Sequence, residues 1–217
     1  MKDVLDELAA VRRTMGRGTL PAGEAYTVEL RRRYDAEVDD VWDAITDPDR
    51  LRRWLKPVTG DLRPGGTYEL EGGEHGEILR CEPPRLLKVS WMFGPEADAW
   101  PGTSEVEVRL TPGGDGRTEF ELIHAAVVGE PMFPTYGPGA GGVGWDIALV
   151  ALAEFLSGGV SADHAEFETS LEGHEFSRRS AAAWGDAHLA AGGDPEQVAA
   201  AVRATTDFYA PDPAGRA

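Results

Sequence analysis

Between residues 26 and 127 apolar and polar side chains alternate in six short runs, and helical spacing takes over on either side. Tyr26, Val28 and Leu30 alternate with Thr27, Glu29 and Arg31, the pattern of a half-buried strand. The same period marks 67–70, with Tyr68 and Leu70 on one side, and 75–81, which Glu82-Pro83-Pro84 ends because proline cannot continue a ladder. It recurs over 86–93, with Leu87, Val89, Trp91 and Phe93 on one face, and over 103–110, with Val106, Val108 and Leu110 inward. The last run, 117–127, turns Phe120, Leu122 and His124 inward. Turn clusters such as Arg63-Pro64-Gly65-Gly66 and 112–116 separate successive runs, so an antiparallel meander of about six strands is expected.

Helical spacing appears at Val4, Leu8, Val11 and Met15, which predicts a first helix followed by a loop over 16–25. That helix would pack on the main domain or on a second subunit. A short helix is expected over 38–46, and Asp47-Pro48 starts another, since Asp caps free amides and Pro suits the first helical position. Gly129 and the Gly- and Pro-rich residues after it read as a loop leading to a long helix over 142–156. There Trp145, Leu149, Leu152 and Leu156 share a stripe, only Asp146 and Glu154 are charged, and Gly158-Gly159 stops the helix. Beyond residue 160 no strand pattern remains. Residues 172–191 are helical and Ala-rich, and Asp194-Pro195-Glu196-Gln197 opens a last helix with Val198, Ala201, Val202, Thr205 and Tyr209 on one stripe. The expected division is 1–25, a helix and loop; 26–160, the main domain; and 161–217, a helical extension.

Composition narrows the function classes. The 217 residues are 41% hydrophobic and 27% charged, ordinary for a globular protein, and the net charge is −17. An acidic chain without clustered Lys and Arg is a poor ligand for nucleic acid or for an anionic membrane, and no apolar run reads as long as a membrane span. Acids inside the first apolar stretch exclude a signal peptide there, and the single cysteine, Cys81, excludes an internal disulfide and a Cys-rich metal site. A cytoplasmic location is the expectation.

The order strand, two short helices, five further strands and a long helix resembles the START-like (SRPBCC) helix-grip superfamily. The segments YDAEVDDVWDAITDPDRLRRW, GEILRCEPPRLLKVSW and GVGWDIALVALAEFL are similar to the branch named for activators of the ninety-kilodalton heat-shock chaperone's ATPase. The resemblance covers roughly residues 26–158 and is distributed along them, which specifies fold more than function. It implies an α+β fold in which a curved antiparallel sheet wraps a long C-terminal helix. The helices added at both ends look like an actinobacterial type of extension. The superfamily includes lipid binders and polyketide cyclases, and the branch name implies a chaperone co-factor.

A grip fold leaves a cleft between the sheet and the long helix, and such pockets are mainly apolar with a few polar anchors. The expected ligand-binding residues are Tyr68, Trp91, Phe93, Val108, Phe120, Leu122 and His124 from the sheet, Trp145 and Leu149 from the helix, and Trp54, Met132, Phe133 and Tyr136 near the mouth, with Trp100 beside them. For most of these the competing reading is a filled core. His124 in an apolar cleft could anchor a ligand or act as acid or base; the alternative is a histidine bonded to a backbone carbonyl. Glu77 is a second candidate acid if it faces in, and a solvated ladder charge if it faces out. Gly137, Gly139 and Gly142 match G-x-G-x-x-G, yet no strand leads directly into them, so a lid or a plain connector is expected instead of a dinucleotide site. The five histidines show no metal-ligand spacing and no G-x-S-x-G elbow exists, so neither metal nor cofactor is expected. The favoured expectation is non-catalytic binding of an apolar or amphipathic small molecule. The rivals are a protein-interaction module, with a chaperone or regulator or as a homodimer, and a cyclase-like enzyme using His124 or Glu77.

Overall fold

The alternating runs become the strands of one unclosed antiparallel sheet in a computed structural model that describes residues 4–94, 103–128, 132–159 and 164–211. Its strands are β1 (Arg12–Leu20), β2 (Gly23–Tyr34), β3 (Val58–Gly60), β4 (Thr67–Leu70), β5 (Glu74–Glu82), β6 (Leu86–Ser90), β7 (Met92–Phe93), β8 (Ser104–Pro112) and β9 (Thr118–Ala126). They lie in the order β1-β2-β9-β8-β6-β5-β4-β3, and β7 adds to β5. Registration stacks the inward residues in rows: Leu30 opposite Leu122 opposite Val108, and Arg32 opposite Phe120 opposite Leu110. Leu30, Phe120, Leu122 and Leu110 are almost wholly removed from water.

The helices are α1 (Val4–Ala9), α2 (Val38–Thr46), α3 (Pro48–Leu51), α4 (Met132–Tyr136), α5 (Gly139–Leu156), α6 (His164–Thr169), α7 (Leu171–Ala190) and α8 (Pro195–Tyr209). The local signals work as written in the chain. The Asp47 carboxylate accepts from the Arg50 amide at 3.0 Å and so caps α3. Asp194 accepts from the amides of Glu196 and Gln197 at 3.1 and 3.0 Å, and Ser170 caps α7 through the Gly173 amide at 2.9 Å.

The result is a helix-grip fold: the curved sheet holds α5, whose residues are buried on nearly every side. By length and composition α5 is apolar enough to cross a membrane, which corrects the expectation that no run is long enough; two-thirds of it (67%) is buried against the rest of the protein. α7 and α8 pack against α5 and each other, and Trp184 of α7 fits where Gly142 has no side chain: a Cβ there would stand 2.3 Å from the indole.

Three expectations are corrected. The first helix stops at Ala9, and the expected helix end and loop are β1, paired with β2 from Arg12–Arg31 to Leu20–Gly23. Met15 therefore lies on a strand, and its spacing from Val11 is incidental. The loop expected before the long helix contains α4, and α5 begins at Gly139. The run 86–93 is broken at Trp91, whose amide bonds the Ser104 carbonyl at 3.0 Å; β6 before it pairs with both β5 and β8, and β7 after it pairs with β5. Trp91 still turns toward the long helix, packed against the core and Trp145, while Met92 is buried and Phe93 is 69% exposed.

Buried charges tie the ends of the chain to α5. Asp146, fully buried, receives Arg13 Nε and Nη2 at 2.9 Å, Ser180 Oγ at 2.5 Å and Trp184 Nε1 at 3.1 Å. Burial pushes this carboxyl upward, and Arg13 foremost, then Ser180 and Trp184, pull it back down. Arg32 pairs with Glu7 of α1 at 2.5 Å, and the Tyr34 hydroxyl donates to the Leu149 carbonyl at 3.1 Å.

Candidate functional site

A cavity of about 750 Å³ opens between the sheet and the N-terminal half of α5. Small residues on α5 make the room: Ala140, Gly141, Gly144 and Ala148 line it, with Trp145 and Ile147 between them. The sheet contributes Leu70, Glu74, Trp91, Phe93 and His124. Met132 and Tyr136 of α4, Glu168 of α6, and Phe208 and Tyr209 at the end of α8 close the remaining sides, with Leu55 and Lys56 following α3. Exposed Phe93, Met132 and Phe208 make the opening apolar.

One wall is an aromatic pair. Trp91 and Trp145 lie with ring centroids 4.9 Å apart, and His124 meets Trp145 edge-on at 5.7 Å. The Trp145 indole N–H donates to His124 Nδ1 at 3.0 Å, and His124 Nε2 lies 2.8 Å from Ser104 Oγ. An indole can only donate, so Nδ1 carries no proton; the proton is on Nε2 and is given to the serine hydroxyl. Burial holds this imidazole neutral, with its pKa lowered to about 4. Among the described residues His124 is thus tied to two side chains and to no backbone carbonyl, and the bare nitrogen a base would use is occupied.

The opposite region is polar. Lys56 Nζ bonds Glu74 Oε1 at 2.6 Å, while Glu74 Oε2 is buried without a hydrogen-bond partner. Glu168 is exposed at the rim; desolvation raises its carboxyl, and the Lys56 charge opposes the rise. The Tyr209 hydroxyl donates to the Ala140 carbonyl at 2.8 Å, and burial pushes it up to about 12.

Of the thirteen expected ligand-binding residues, Trp91, Phe93, His124, Met132, Tyr136 and Trp145 come together around the cavity. The other seven stand elsewhere. Trp54 is in the core with its indole N–H on the Ala44 carbonyl at 2.8 Å. Tyr68 is buried beside Trp91, its hydroxyl on the Ser90 carbonyl at 2.8 Å. Val108, Phe120, Leu122 and Leu149 fill the closed end of the grip, where Tyr34 packs edge-on against Phe120. Phe133 turns to the other side of α4 and stacks on Tyr26 at 3.6 Å. Trp100 lies outside the described residues. Glu77 is exposed, its amide bonded to Ser90 Oγ at 2.8 Å, so the acid–base pair of the cyclase reading is not assembled. Sequence reasoning passed over Lys56, Glu74 and Glu168 because nothing local distinguishes them from surface charges. It also missed Phe208 and Tyr209, although the stripe on the last helix ends in Tyr209. Among the described residues no group of three or more His, Cys, Asp or Glu is placed to hold a metal ion.

Sheet, enclosed helix and intervening cavity define the helix-grip class. Within it the chain belongs to the family described as Activator of Hsp90 ATPase homolog 1-like protein, which matches residues 35–157. CalU16 from Micromonospora echinospora is 42% identical; its crystal structure superposes with a TM-score of 0.66 over 82% of this chain and 98% of that chain. That likeness reaches well beyond the family match. DynU16, a protein of the dynemicin biosynthetic locus, is 26% identical with a TM-score of 0.54 over 64% of this chain and 50% of that chain. The Aha1 dimer from Colwellia psychrerythraea shares the fold at 18% identity and a TM-score of 0.50, over 60% of this chain and 95% of that chain. No curated protein matches the chain.

Proposed function

We propose that this protein is a non-catalytic binder of an apolar or amphipathic small molecule, held between the sheet and α5. The carrying observation is the 750 Å³ cavity, within the size range of small-molecule sites, walled by Trp91, Trp145, Tyr136, Phe208 and Met132 and anchored by a few polar groups. His124 suits a binder better than a catalyst, because both ring nitrogens are committed to neighbours. DynU16, from a biosynthetic locus, supports a cargo of biosynthetic origin.

The test is native mass spectrometry and thermal-shift measurement across lipids and polyketides, with Gly141→Leu as the blocking variant. A Cβ at 141 would make only ordinary contact with His124, at 3.7 Å, so the leucine grows into the cavity. Leucine also suits a helix better than glycine by about 0.5–1 kcal/mol. Ligand affinity is expected to fall at least about tenfold while thermal stability holds or rises. Failure of every apolar compound to bind, or unchanged affinity in Gly141→Leu, removes the reading.

A further inference from the structure

Resting on the binding reading above, we propose that the cavity selects ligands bearing a protonated amine, seated at Glu74 with Glu168 beside it, while the ligand's flat apolar body lies against Trp91 and Trp145. Among the described residues the polar region holds two carboxylates and a single ammonium, one negative charge in excess. Lys56 is already engaged by Glu74 Oε1 at 2.6 Å. The second oxygen, Oε2, is buried and receives no hydrogen bond, a costly condition that a ligand N–H relieves. Gly72 keeps the backbone close to this pair: a Cβ there would stand 2.9 Å from Lys56 Nζ and 3.3 Å from Glu74 Oε2. An anionic ligand meets the reverse situation. It must take Lys56 away from Glu74 and then face Glu168. The indole pair adds to the preference, since the faces of tryptophan rings attract cations and accept flat unsaturated bodies.

The experiment uses three probes of one shape: 1-pyrenemethylamine, 1-pyrenemethanol and 1-pyrenecarboxylate. Binding is read by quenching of tryptophan fluorescence in about 0.3 M salt, which screens the general attraction of an acidic protein for any cation. The expected order is amine, alcohol, carboxylate, with the amine about tenfold tighter than the alcohol. Glu74→Gln should shrink that preference to about twofold or less. Glu168→Gln should shrink it by a smaller factor, and Glu77→Gln, on an exposed part of β5, should leave all three probes as they were. Equal binding of amine and alcohol overturns the amine preference while leaving the cavity reading intact. So does tightest binding of the carboxylate, or a preference that survives Glu74→Gln. If no probe binds, this inference falls, and the cavity reading falls with it only when the lipids and polyketides also fail to bind.

Discussion

Acidification should strip stability from this fold through His124. The unfolded chain protonates this ring near the ordinary value of about 6.5, whereas the folded chain, with the ring desolvated and Nδ1 taken by Trp145, does so only near 4. Between those values the unfolded state carries the extra proton, so stability rises with pH; the contribution is complete above about 6.5 and lost as pH falls toward 4. Lowering the ring from about 6.5 to about 4 corresponds to roughly 3 kcal/mol at most, and the partial exposure of the ring brings the expectation to about 2–3 kcal/mol. Carboxylates elsewhere titrate over the lower part of this range, so the informative quantity is a difference. Urea unfolding of the wild type and of His124→Gln, measured from about pH 7 to about pH 4.5, should give curves that converge as the pH drops. Glutamine loses part of the bonding to Trp145 and Ser104, so the variant is less stable at pH 7, but it has no proton to gain. NMR of the labelled ring measures the pKa directly. A ring titrating near 6.5, or two curves that stay parallel, would refute the argument that this histidine is dry and fully bonded.

Two further outcomes concern the scaffold. All the groups facing Asp146 are donors, so Asp146→Asn places an amide against Arg13, Ser180 or Trp184 and should cost about 3–5 kcal/mol by urea unfolding; a loss below about 1 kcal/mol would show the network to be slack. Gly142→Ala pushes a methyl into the Trp184 ring, which is wholly buried and has nowhere to move, so calorimetry should show a loss of about 2–3 kcal/mol; a raised melting temperature, as expected from helix propensity alone, would contradict the packing.

The grip architecture was legible because β4, β8 and β9 each bury alternate residues, and that period survives in the chain whatever the tertiary details. β1 was not, since all of it but Leu20 is half-buried or exposed and its small residues Gly16 and Gly18 face Thr27, leaving no apolar alternation to read. The cavity was half legible. Aromatic side chains pointed to it, but a helix that is apolar all round gives no sign of which side faces empty space, so Leu149 was assigned to the cleft and Gly141 and Gly144 were not. Asp146 looked like an ordinary helix charge because its partners lie 133 residues before it and 34 and 38 after it.

The width of the receptacle is set by what α5 omits. Positions 140, 141, 144 and 148 carry at most a methyl group, and they lie apart from the Asp146 clasp and the Leu149 carbonyl that fasten the helix to its neighbours. Cargo size is therefore separable from architecture: a single larger side chain at one of these four places resizes the chamber, while the bonds that keep the chain folded stay where they are.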